Sequence, residues 1–102
     1  MTGIRFEWDE VKSLSNRRKH GVSFEEASQV FLDPLYVSVL ERIENGEERW
    51  RTFGIVKNLM VFVVAHTVRE LYSEGEAVEV VRIISAREAT RTERRLYEDE
   101  NG

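Results

Sequence analysis

The chain has 102 residues, 41% hydrophobic and 33% charged, a composition that suits one globular domain spanning residues 1–102. Its formal net charge is −4, which taken alone argues against a nucleic-acid binder, since phosphate affinity is driven by lysine and arginine. There is no cysteine, which excludes a disulfide framework, thiolate metal sites and thiol nucleophiles.

Residues Ile4 to Trp8 read as a short strand, with Ile4, Phe6 and Trp8 alternating against Arg5 and Glu7. Asp9 can cap a helix running to Lys19, and Gly21 is the expected left-handed stop. Ser23 with Glu26 three residues on forms a capping box for a second helix. Phe24, Ala27, Val30 and Phe31 would share its buried face, and Asp33-Pro34 ends it.

The period then changes from helical to alternating. Leu35 to Leu40 reads as a strand, Asn45-Gly46 as a turn, and Arg49 to Val56 as a second strand. On that strand Arg49, Arg51, Phe53 and Ile55 fall on one side, and Trp50, Thr52, Gly54 and Val56 on the other. Lys57-Asn58 connects to an apolar strand, Leu59 to His66. Val68 to Glu76 reads as a polar loop, Ala77 to Ala86 as a fourth strand, and Arg87 to Glu98 as a helix with a frayed acidic tail. The expectation is an α+β domain: an antiparallel four-stranded sheet plus a short N-terminal strand, two N-terminal helices and a C-terminal helix. The helices are expected to cover one face of the sheet.

Three groups of residues carry potential chemistry. The first is Asn16 to His20, at the end of the first helix. Its cations suit the negative end of a helix dipole, or a phosphate site with His20 as a group that titrates near neutral pH. The second is the arginines of the strands. Arg82 interrupts Val80-Val81-Arg82-Ile83-Ile84, where a buried unpaired guanidinium would be costly. It must reach an edge, pair with an acid such as Glu48 or Glu79, or line a concave site. The third is Arg87, Arg91 and Arg94 or Arg95, spaced as a helical stripe. From Arg49 to Arg95 there are eight arginines and Lys57 against six glutamates. The total charge therefore conceals a local basic patch.

These residues also carry a resemblance. Phe6-Glu7-Trp8-Asp9, Lys12, Asn16 and the run Lys19 to Ala27 resemble the opening of the BrnT family. Phe31-Leu32-Asp33-Pro34, Glu48-Arg49 with Gly54 five residues on, and Arg82 to Arg87 are similar to its later blocks. Ala89-Thr90, Glu93-Arg94 and Tyr97 match its ending, so the likeness covers about residues 4 to 98. Tyr36 to Asn45 is outside the pattern. The resemblance implies a ribonuclease toxin of a type II toxin–antitoxin module, with a RelE-like fold. It also implies a BrnA-like antitoxin partner carrying a ribbon-helix-helix DNA-binding domain, through which alone operator DNA is reached.

No metal-ligand cluster or cofactor motif is visible, and the apolar run Leu59 to Ala65 is far short of the ~20 residues that span a bilayer. No apolar signal segment opens the chain, so a cytoplasmic protein is expected. Cleavage without metal needs a base at the 2′-OH, an acid at the leaving oxygen, and cations on the developing phosphorane. By position, Arg82 and Arg69 are the expected transition-state stabilisers, with Arg49, Arg51 and Arg87 holding phosphates. His20 is the first choice for acid–base work, with Lys19 as support and Glu48 as a second base. His66, alternating with Met60, Phe62 and Val64, reads as a core residue. The alternative is a non-catalytic interaction domain whose arginine patch binds an acidic protein partner.

Overall fold

The computed structural model describes residues 3–56 and 60–102; the expected connection at Lys57-Asn58 into Leu59 lies outside the described residues. Strand β1 (Gly3–Glu7) leads into helix α1 (Glu10–His20), whose two ends are both set locally. The Asp9 carboxylate accepts from the Val11 and Lys12 amides, and Gly21 ends the helix at φ 76°, where a glycine meets no Cβ penalty. Helix α2 (Phe24–Ala27) opens on the Ser23–Glu26 capping box and tightens into a 3-10 turn over Ser28–Leu32. Strands β2 (Val37–Glu44) and β3 (Glu47–Val56) follow, joined at Asn45-Gly46, both at positive φ.

Strands β4 (Met60–Ser73) and β5 (Glu76–Glu88) form the longest hairpin. This corrects the polar loop expected at Val68 to Glu76. The chain reverses at Glu74-Gly75 (φ 52° and 79°), and the polar residues before it continue the ladder, pairing Arg69 with Val80 and Leu71 with Val78. Their polarity reflects a strand end that projects past the core, where solvent reaches both faces. Helix α3 (Arg91–Asn101) begins four residues later than expected, because Arg87 and Glu88 pair with Val63 and Phe62 as strand. Its N-cap is Thr90, in a capping box with Glu93, and the acidic tail expected to fray stays helical to Asn101.

The sheet has five strands in the order β1-β5-β4-β3-β2. Strands β2 to β5 are antiparallel neighbours, while β1 joins the outside of β5 in parallel. Two cores follow from strand alternation. Val22, Phe24, Ala27 and Val30 pack on Val56, Val64, Val81, Ile83 and Ala86. On the opposite face Ala89 and Tyr97 pack on Phe53, Val61 and Val63. The helices therefore cover both faces, correcting the expected single layer: a helix entered directly from the end of β5 is free to cross to the other side.

Close approaches hold the first face. A Cβ on Gly54 would stand 2.6 Å from Val30 Cγ1 and 2.8 Å from the Val30 carbonyl oxygen, so the 3-10 turn rests directly on the backbone of β3. Asn16 is buried and bonded through three atoms pairs: its Nδ2 donates to the Val22 and Ala86 carbonyls, both at 2.8 Å, and its Oδ1 accepts from the Ala86 amide at 3.2 Å. The motif residue Asn16 thus fastens α1 to β5.

Candidate functional site

Helix α3 covers only one end of the second face, over Phe53, Val61 and Val63, and the rest is lined by arginine. The register places Glu7, Arg82, Thr67, Arg49 and Arg42 side by side, one from each strand. Arg51 lies one row nearer the helix, with Ala65 and Ser85 as its neighbours. Arg69 lies one row farther away, across Val80 from Arg5. The alternation of Arg49 and Arg51 with Trp50 and Thr52 was legible in the sequence; the assembly of six arginines from five strands was not.

Glu93 and Glu7 hold four of these arginines, and Glu44 pairs with Arg42 at 3.1 Å. Glu93, in the first turn of α3, accepts from Arg87 Nη1 at 2.6 Å and Nη2 at 2.9 Å, and from Arg51 Nη1 at 3.4 Å. It also accepts from the Thr90 amide at 2.9 Å. The Arg87 hydrogen bond, partly opposed by burial, pulls the Glu93 pKa down to about 2, and the same bond raises that of Arg87. Glu7, at the end of β1, accepts from Arg69 at 2.5 Å and lies 3.7 Å from Arg82. The Arg69 hydrogen bond is the largest influence holding its carboxyl below the ordinary carboxylate range.

The middle of the row is less satisfied. The nearest carboxylate to Arg49 is Glu44, at 3.9 Å. Among the described residues, the buried Nε atoms of Arg49 and Arg51 have no hydrogen-bond partner, and neither does Trp50 Nε1 on the opposite face. The Arg51 guanidinium also lies 5.7 Å from the Phe53 ring centre, a position that fixes it by cation–π attraction.

The remaining expected site residues lie elsewhere. Glu48 points to the other face of β3, into a cleft of about 580 Å³ shared with Phe31, Tyr36, Trp50 and His66. Lys19 and His20 line a shallow pocket of about 220 Å³ with Lys12, Ser15, Ile84 and Ser85. Among the described residues no hydrogen bond or ion pair joins either pocket's Glu48, Lys19 or His20 to the arginine row. His66 is a core residue: its Nε2 lies 2.6 Å from Thr52 Oγ1, which lies 2.6 Å from Ser38 Oγ. Phe31 packs edge-on against its ring at 5.1 Å, and burial pushes its pKa down to about 4.

Sequence reasoning missed Glu7 and Glu93 as partners of these arginines. The Ile4–Phe6–Trp8 alternation did put Glu7 opposite the core. Arg82 pairs with Glu7 rather than with Glu48 or Glu79 because β1, on the outer side of β5, brings Glu7 beside it. Asp33 is a further omission. Its carboxylate accepts from the Leu35 and Ile55 amides and from the Tyr97 hydroxyl, tying α3 to the far side of the sheet. Burial and the Asp33 carboxylate push the Tyr97 hydroxyl up to about 12.

The molecule is therefore an α+β domain whose N-terminal helices pack on one sheet face, leaving a cleft at Glu48, Trp50 and His66, while the other face is partly open and lined with arginine. The family model for the ribonuclease toxin BrnT of type II toxin–antitoxin systems matches residues 8–93, and the chain belongs to that family. Membership supports a ribonuclease toxin role and implies an antitoxin partner. No curated protein matches the chain. Among the described residues no helix is long and apolar enough to cross a membrane.

Proposed function

We propose that the open sheet face binds the backbone of RNA and cuts it without a metal ion, by attack of a 2′-OH on its own phosphate. Arg82 and Arg69 stabilise the charge of the phosphorane, and Arg49 and Arg51 hold neighbouring phosphates. Arg87 closes the row at the helix, where its bidentate bond to Glu93 keeps it in place. The observation that carries the reading is the pair of buried, unpartnered Nε donors on Arg49 and Arg51. Buried donors without acceptors are rare in folded proteins, and a phosphate oxygen is a strong acceptor for a guanidinium.

Loss of messages would stop translation, and a BrnA-like antitoxin with a ribbon-helix-helix domain would neutralise the toxin by covering the same arginines. The net charge of −4 limits the grip to this patch, so affinity falls as salt rises. The test is to free the purified chain of its partner and incubate it with naked RNA in the presence of EDTA. Products ending in a 2′,3′-cyclic phosphate and a 5′-OH are expected. Cleavage abolished by EDTA sinks the metal-free reading. Cutting confined to messages under translation assigns the activity to the ribosome-bound state, and no cutting in either setting leaves a binding module.

A further inference from the structure

We propose that Glu7 is the general base of the arginine face, the group that takes the proton from the attacking 2′-OH. The assignment rests on the RNA-cleavage reading above and supplies what that reading lacks. Transition-state stabilisation by arginine leaves the 2′-OH proton without an acceptor, because guanidinium groups stay protonated and accept nothing. An acceptor must stand on the same surface, within reach of the same phosphate.

Three carboxylates contact these arginines: Glu44, at the β2 edge, pairs with Arg42 and Arg49 and not with Arg69 or Arg82, and the other two differ in availability. Glu93 has only 15% of its side chain exposed, and its oxygens are taken by two Arg87 nitrogens, Arg51 and the Thr90 amide. It is a structural anchor for α3. Glu7 is 33% exposed and touches Arg69 and Arg82, which are themselves 46% and 45% exposed. Its second oxygen has only a long contact, 3.5 Å from Arg69 Nη2. A phosphate drawn to Arg69 and Arg82 therefore arrives beside a carboxylate with acceptor capacity to spare. The depressed pKa of Glu7, caused first by the Arg69 hydrogen bond, keeps that carboxylate ionised at neutral pH.

The step balances within these groups and water. Glu7 takes the 2′-OH proton as the 2′ oxygen bonds to phosphorus. The bond from phosphorus to the 5′ oxygen breaks, and that oxygen takes a proton from water. The hydroxide left behind recovers the proton from Glu7, restoring the carboxylate. The charged groups facing Glu7 are Arg82 on β5, Arg69 on β4 and Arg5 two residues back on its own strand face.

The test is Glu7→Gln, which keeps the shape and the acceptor oxygen toward Arg69 while removing the basicity. Cleavage is expected to fall ~100-fold or more, with the circular dichroism spectrum unchanged. Binding of a 2′-deoxy oligonucleotide of the same sequence should be equal or tighter, since one negative charge is gone. Glu7→Asp, which keeps a carboxylate one methylene shorter, should retain a reduced rate that still declines at acid pH. Wild-type cleavage in a folded Glu7→Gln chain overturns the assignment alone, as does a Glu7→Gln loss matched by an equal loss of binding. If Glu7→Gln fails to fold, an Asp variant whose rate ignores acid pH overturns it. A wild-type chain that leaves both naked and translated RNA intact overturns the cleavage reading and this assignment together.

Discussion

The two faces of the sheet use their polar side chains differently. Under the N-terminal helices, Asn16 and His66 are buried and bonded within the chain, and both serve the packing of α1, β3, β4 and β5. Beside α3 the polar groups are arginines, partly exposed and shared among Glu7, Glu44 and Glu93; among the described residues the Nε atoms of Arg49 and Arg51 have no acceptor, and on the first face neither does Trp50 Nε1. The first face stabilises the fold. On the proposed reading, the second holds charge in place for RNA.

That contrast can be broken at four points. Arg82→Ala should have the largest effect on activity, cutting RNA cleavage by ~10²–10³-fold, as expected for loss of one preorganised transition-state donor. Its thermal midpoint should stay close to wild type, because an exposed ion pair at 3.7 Å contributes little to stability. Full activity in a folded Arg82→Ala chain would remove the stabiliser role.

Asn16→Ala should do the reverse. It leaves the Val22 and Ala86 carbonyls and the Ala86 amide without their side-chain partner, at a cost of about 3 kcal/mol in urea unfolding. Cleavage per folded molecule should be unchanged, and a selective loss of activity would mean that α1 belongs to the site.

The faces should also titrate in separate windows. His66 has a folded pKa near 4, below its unfolded value of about 6.5, so the unfolded chain binds the proton first. Stability is then lost as pH falls from 6.5 toward 4, by on the order of 3 kcal/mol, and His66→Gln should flatten that slope. Glu93, near 2 when folded, contributes stability that is lost only as pH falls below about 4.5. Urea midpoints measured from pH 7 to pH 2 should show the two losses in that order. A single loss below pH 4.5 in the wild type would show that His66 is not held neutral by burial.

The smallest effect is expected from His20→Ala, in a pocket apart from the arginines, and from Glu48→Gln, in a cleft that Arg69 also lines but with no bond from Glu48 to it among the described residues. Cleavage should stay within about twofold of wild type, with an unchanged pH–rate profile. A large loss in either would extend the chemistry beyond the open face.

How much of this was legible depended on the range over which each signal acts. The Asp9 cap, the Gly21 stop and the Ser23–Glu26 box are local, and each was read correctly. So was the alternation that puts Arg49 and Arg51 on one side of β3. Arg87 was misplaced on a helix because residues 87 to 98 satisfy a helical period, while the Arg87–Val63 pairing that makes it strand comes from β4. The Thr90–Glu93 box marks the true start of the helix. Nothing local could bring Glu7 to Arg82, since parallel pairing across most of the chain is decided by how α1 and α2 pack between the two strands.

Strand β1 precedes its partner β5 by most of the described chain. Until β5 is complete, Glu7 has neither Arg69 nor Arg82 in register beside it, and the long connection must close before the parallel pair forms. A chain stalled or cut short before residue 82 carries the arginines of β3 but not the Glu7–Arg82 pair. On the proposed reading, cleavage begins only once β5 has brought Arg82 beside Glu7.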